Sequence, residues 1–101
     1  MFVTKTQQGT STSFTLDGRF DAYETEIFRQ KIDDALDAGQ TNLLVDLSQV
    51  TFIDSSGLAE LVRGMKRSRQ AGGDLQLLQP SNPVAVILEL TGLDKAFVVA
   101  N

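Results

Sequence analysis

The chain alternates between two hydrophobic rhythms. At the N-terminus, "FVTKTQQGTSTSFTLDG" has period two: Phe2, Thr4 and Thr6 alternate with Val3 and Lys5, and "SFTL" is rich in strand formers. "QQGTS" supplies turn residues between them, which predicts an antiparallel hairpin whose second strand ends at Gly18. The rhythm then becomes helical. Ile27, Phe28, Ile32, Ala35 and Leu36 share one face of a helix that Asp21 can cap, starting near Ala22 and ending at Gly39. "NLLVDLS" is a short apolar run of strand length, expected to be buried on both faces as an inner strand. A second helix follows with Leu58, Leu61, Val62 and Met65 as its stripe, closed by Gly72 and Gly73. "DLQLL" is another strand. "NPVAVILELTGL" is a third helix, with Asn82 as cap, Pro83 in the first position, Gly92 at the end and Leu93 packed back on the last turn. "AFVVA" is a closing strand.

Strands alternating with helices pair in parallel through right-handed crossovers, and the opening hairpin adds an antiparallel pair. The expected fold class is α/β, one domain over residues 1–101. Its mixed four- to five-stranded sheet has helices packed against it.

Composition removes whole classes of chemistry. There is no Cys and no His, so disulfides, thiolate ligands and the Ser-His-Asp triad are excluded. Thirteen acidic residues against nine basic ones give a net charge of −4, which speaks against a nucleic-acid surface. No run approaches the ~20 apolar residues of a membrane span, and the N-terminus does not read as a signal peptide. The expectation is a cytoplasmic domain with no metal and no cofactor. "RGMKRSR", Arg63 to Arg69, is the one basic cluster; it reads first as a solvated helix face and second as an edge for an acidic partner.

The chemistry concentrates in "FIDSSGL", Phe52 to Leu58, where the middle strand hands over to the second helix. Asp54, Ser55 and Ser56 could simply cap the unpaired amides of the helix start, each cap contributing about 1 kcal/mol. The same geometry also suits an anion. A phosphate on a first-turn serine would sit at the positive end of the helix and bring roughly −1.5 to −2 charges beside Asp54. Hydrolase chemistry lacks a base, and "DSSG" is not a G-x-S-x-G elbow. A Ser–Lys pair with Lys66 is conceivable, but that residue lies about three turns along the helix and reads as solvated. The P-loop pattern is absent. Asp46 could mimic a phospho-accepting aspartate but has no acidic pair to share a magnesium ion, so it reads as a strand-end residue bonded to backbone.

"VDLSQVTFIDSSGLAELVRGMKRSRQAGGDLQLL" resembles the central signature of STAS domains, specifically the bacterial anti-sigma factor antagonists. "LDGRFDAYE" resembles that family's G-x-[LF]-D loop, and "ILELTGLDKAF" its L-x-x-x-G-[LV] segment, so the resemblance spans nearly the whole chain. Many members place Thr early in the first helix; here Glu24 and Thr25 straddle that position. The resemblance implies that Ser55 is a phospho-acceptor, flanked by Asp54, Ser56 and Gly57. It implies partner contacts for Asp21, and Leu58 is expected to present part of its side chain to the partner as well. It further implies a non-enzymatic switch. The unphosphorylated domain binds an anti-sigma factor serine kinase, phosphorylation lowers affinity, and a PP2C-type phosphatase resets it. Two alternatives stand beside this: an accessory subunit of a lipid or anion transporter, and a nucleotide-binding regulatory domain.

Overall fold

The computed structural model describes residues 1–101. The elements run β1 (Phe2–Gln8), β2 (Ser11–Phe20), α1 (Thr25–Asp37), β3 (Asn42–Ile53), α2 (Ser55–Gln70), β4 (Asp74–Leu78), α3 (Asn82–Thr91), a single 3₁₀ turn (Leu93–Lys95) and β5 (Val99–Ala100). The five strands lie in chain order, with β1 antiparallel to β2 and the remaining pairs parallel. The mixed sheet and the expected order of elements are both observed, and the sheet has five strands.

Right-handed crossovers between strands in consecutive order return every helix to the same face. The core is accordingly one-sided. Phe14 and Leu16 of β2, Leu43, Val45 and Leu47 of β3, and Leu75 and Leu77 of β4 are buried with Phe28, Ile32 and Ala35 of α1. Leu58, Leu61 and Met65 of α2 and Val84 and Leu88 of α3 belong to the same cluster, as do Phe20, Val50, Ile53 and Phe97. β3 is therefore not buried on both faces. Leu44, Asp46 and Ser48 alternate with the core residues and stay half-exposed on a face that no helix covers. Asp46 is bonded to backbone, accepting the Ser48 amide at 2.9 Å, but it is not a strand-end residue, because β3 continues past it to Ile53.

Local differences from the expected boundaries have simple causes. Gly18 does not end β2. The strand absorbs it as a bulge, with register shifts on either side and φ of 113°, and runs on to Phe20. Asp21 does not cap a helix at Ala22. Its carboxylate accepts the Tyr23 amide at 3.1 Å, closing a local turn, and α1 begins at Thr25 after Glu24. Ile27, placed on the inner face by spacing, is 46% exposed. The buried stripe of α1 runs through Phe28, Ile32 and Ala35, and Ile27 stands about 100° round the helix from Phe28. In α3 the capping position belongs to Ser81, with Asn82 the first helical residue and Pro83 following. The Ser81 hydroxyl donates to Val50 O at 2.6 Å, tying the start of α3 to β3. No helix is long and apolar enough to cross a membrane.

Candidate functional site

β2 and β3 run parallel and end side by side: Arg19 lies opposite Phe52, and Phe20 opposite Ile53. Their C-terminal ends therefore deliver the β2–α1 loop and the start of α2 to one place, where open α/β sheets commonly put their sites. Asp54 links the two. One carboxylate oxygen accepts the Gly57 amide at 3.1 Å as the α2 cap, and the other accepts the Ala22 amide at 3.2 Å. The Asp54 amide in turn donates to Phe20 O at 3.4 Å. One side chain thus fixes a helix start and pins the loop that carries Asp21.

Gly57 makes this closeness possible. It is buried, and a Cβ there would stand 2.6 Å from Phe20 O and 2.9 Å from Ile53 Cγ1. Any side chain would push α2 away from the strand ends. Beneath it Phe20 and Phe28 pack with ring centroids 5.0 Å apart at 53°, a tilted pair that joins β2 to α1 under the site.

Ser55, the first residue of α2, is exposed, and Ser56 is half-buried. The side-chain cap comes from Asp54, so the Ser55 hydroxyl is not consumed in holding the helix. Sequence-based reading placed Asp21, Asp54, Ser55, Ser56 and Gly57 in one neighbourhood, and the fold brings them together. Leu58 is the exception. It is 8% exposed and belongs to the core, so it offers a partner almost no surface. A helix that starts at Ser55 turns its fourth residue back under the sheet, in line with Leu61 and Met65.

Four residues were missed. Tyr23 is 92% exposed in the loop pinned by Asp54, and Ile27 lies one turn on. Phe52 is exposed on the strand entering the site, and the Arg19 guanidinium sits 4.2 Å from its ring centroid. Arg19 Nε also approaches Asp21 at 3.6 Å. Period-two alternation was the available signal: with Ile53 facing the core, Phe52 must face away.

Away from the site, charge is used to join α1 to α2. Glu60, buried, receives two hydrogen bonds from Arg29, at 3.1 Å and 2.6 Å. That hydrogen bonding and the Glu60 charge push the Arg29 guanidinium above its ordinary value. Asp33 accepts from Arg63 and Arg67. Burial alone would push the Asp33 carboxyl up, but the two guanidinium partners outweigh it and hold it below its usual value. Arg69 bonds Asp74 at 2.8 Å and Ala96 O at 3.0 Å. "RGMKRSR" is thus mainly a set of structural clamps, with Lys66 left exposed.

Comparison with known proteins agrees with this architecture. A family model described as "Mlab, STAS domain" matches residues 3–100. An anti-sigma F factor antagonist of Paenibacillus polymyxa is 30% identical over 81 residues, covering 79% of this chain and 69% of the relative. An anti-sigma-B factor antagonist of Listeria monocytogenes is 32% identical over 88 residues, covering 83% and 74%. The crystal structure of a putative anti-sigma factor antagonist from Thermotoga maritima superposes with a TM-score of 0.91 at 23% identity, covering 98% of this chain and 86% of that one.

Proposed function

The chain belongs to the STAS domain family, and on that premise we propose that it is an anti-sigma factor antagonist switched by phosphorylation of Ser55. The single observation that carries the reading is the exposed Ser55 hydroxyl at the first position of α2, beside a backbone held by Asp54 and Gly57. A visiting kinase reaches the oxygen without unfolding anything. The serine oxygen attacks the γ-phosphorus of ATP, the hydroxyl proton leaves, and ADP departs.

Unmodified, the domain presents Ser55, Tyr23, Ile27 and Phe52 on one end of the sheet. Exposed apolar side chains close in sequence to Asp21 and Asp54 suit a partner that brings apolar contacts and some positive charge. That partner is an anti-sigma factor with serine-kinase activity. Phosphorylation adds about two negative charges to a surface already carrying two carboxylates. Docking is lost through repulsion and desolvation while the fold stays intact. Weakening on the order of a hundredfold is expected from like-charge contact at a partly hydrated interface. A PP2C-type phosphatase restores the binding form. The reading makes the domain a cytoplasmic regulator with no catalytic role of its own.

The test is incubation with the cognate kinase and ATP. Wild-type chain takes up phosphate and Ser55→Ala does not. Equal labelling of the two chains, or labelling of neither, overturns the reading.

A further inference from the structure

We propose that Arg19 is the internal counter-ion of a phosphate on Ser55: on modification its guanidinium leaves Phe52 and Asp21 and closes on the new group. The inference rests on the reading of Ser55 as acceptor and adds to it a residue and a movement.

Position comes first. Arg19 pairs with Phe52 in the parallel β2–β3 register, and Ser55 follows Phe52 by three residues. Strand spacing and rise put the two Cα atoms roughly 11 Å apart. An extended arginine and a phosphoserine, reaching toward each other, span that gap.

Availability comes second. Arg29 is committed to Glu60, Arg63 and Arg67 to Asp33, and Arg69 to Asp74. The Met1 ammonium meets Glu24 at 3.2 Å. Lys66 lies near the far end of α2. Among the arginines, Arg19 alone is loosely held. It is 62% exposed at the side chain, approaches Asp21 only to 3.6 Å through Nε, and otherwise rests on an aromatic ring. The charged groups around it on the β2–α1 loop and the start of α2 are Asp21, Glu24 and Asp54. Without Arg19, the charged side chains beside a phosphate there would all be carboxylates, and only the α2 amides would favour it.

Competition comes third. Phosphate carries up to twice the charge of the Asp21 carboxylate and offers oxygens to the guanidinium fork in pairs. Exposed single-contact ion pairs and exposed cation–π contacts are weak holds. The guanidinium therefore transfers. The partner then meets a different surface, in which one cation is withdrawn and the Phe52 ring is bared. Phosphorylation rearranges charge at the docking surface as well as adding it.

Phosphoserine encoded at position 55 tests this directly, in chains that otherwise carry wild-type Arg19, Arg19→Gln or Arg19→Lys. The phosphorus resonance is followed against pH. Free phosphoserine has its second ionisation at about 6. In the wild-type background it falls lower than in Arg19→Gln by roughly half a unit, the direction expected for a nearby cation, and Arg19→Lys gives an intermediate value. The Phe52 ring resonances move on modification in the wild-type background and stay still in Arg19→Gln. Superimposable titrations in all three chains overturn the proposal. Because no kinase is involved, that result is separate from whether a kinase modifies Ser55. Arg19 lies exposed near the end of a strand, so a dispersed spectrum of the unmodified variant verifies the fold.

Discussion

The two ends of α2 use the same backbone for different purposes. From Glu60 to Arg69, every charged side chain except Lys66 is engaged across the α1–α2 seam or with β4 and the loop after α3. At the first turn there is no charge beyond Asp54, and Ser55 faces solvent unengaged by the helix cap. The lesson is that the conspicuous segment is scaffold and the plain one is the working end. Paired guanidinium groups have little left to offer a partner, whereas an exposed hydroxyl on a fixed backbone is ready for modification. The contrast depends on two glycines. Gly57 lets α2 touch the strand ends at the site, and Gly64 lets it lie close to Leu75 and Ile32.

The largest expected effect tests that pair. Gly57→Ala drives a Cβ to 2.6 Å from a backbone carbonyl, which cannot move without pulling Phe20 out of line. It should destabilise the fold by about 2–3 kcal/mol, despite the better helix propensity of alanine. Gly64→Ala crowds the Leu75 Cδ1 methyl at 2.8 Å, the end of a rotatable side chain, and meets Ile32 at an ordinary 3.5 Å. The propensity gain offsets the crowding there, and the net change should stay within about 1 kcal/mol. Urea unfolding midpoints of the two variants decide the matter. Equal losses would mean that closeness at the strand ends is not special.

Much of this architecture was legible before any coordinates. Alternation in β2 and helical spacing in α2 follow directly from which face must be dry, so the element order and the gathering of Asp54, Ser55 and Gly57 could be read. Three things could not. Periodicity says that one face of NLLVDLS is apolar but not whether a second layer covers Leu44, because that depends on the hand of three crossovers together. Leu58 was read both as part of the α2 stripe and as partly open to a partner, and how much of a first-turn stripe residue stays exposed depends on packing that spacing does not give. Arg29–Glu60 and the Asp33 pairs join residues about thirty apart, a separation that carries no local signal. For the same reason the basic run read as a solvated face, when its partners lay on another helix.

Acid should act on the seam between α1 and α2. The Asp33 carboxyl lies below its ordinary value when folded, because Arg63 and Arg67 outweigh burial. A depressed folded value means that its contribution to stability is complete above the unfolded value, about 3.9. That contribution drains away as pH falls through the folded value. Asp33→Asn should therefore lower the urea midpoint at neutral pH, and the gap to wild type should narrow below about pH 4 as both chains come to carry an uncharged group. A gap that stays constant from neutral pH to about pH 2 would show that the carboxylate is not what joins the helices.

The smallest effect is the most informative for the working end, because it separates structure from switching by one chemical change made twice. Ser68 near the C-terminus of α2 is fully buried and donates its hydroxyl to Gly64 O at 2.8 Å. Ser68→Ala removes that bond and leaves a small void, with an expected cost of about 1 kcal/mol. Ser55→Ala removes an exposed hydroxyl at a position where Asp54 already supplies the cap, and alanine suits a helix better than serine. Its stability should match wild type within about 0.5 kcal/mol in the same urea titration. A loss approaching that of Ser68→Ala would mean that Ser55 supports the helix start after all. With stability unchanged, failure of Ser55→Ala to accept phosphate can only reflect the missing oxygen, since the loop, the cap and the glycine contact that present it are all still in place.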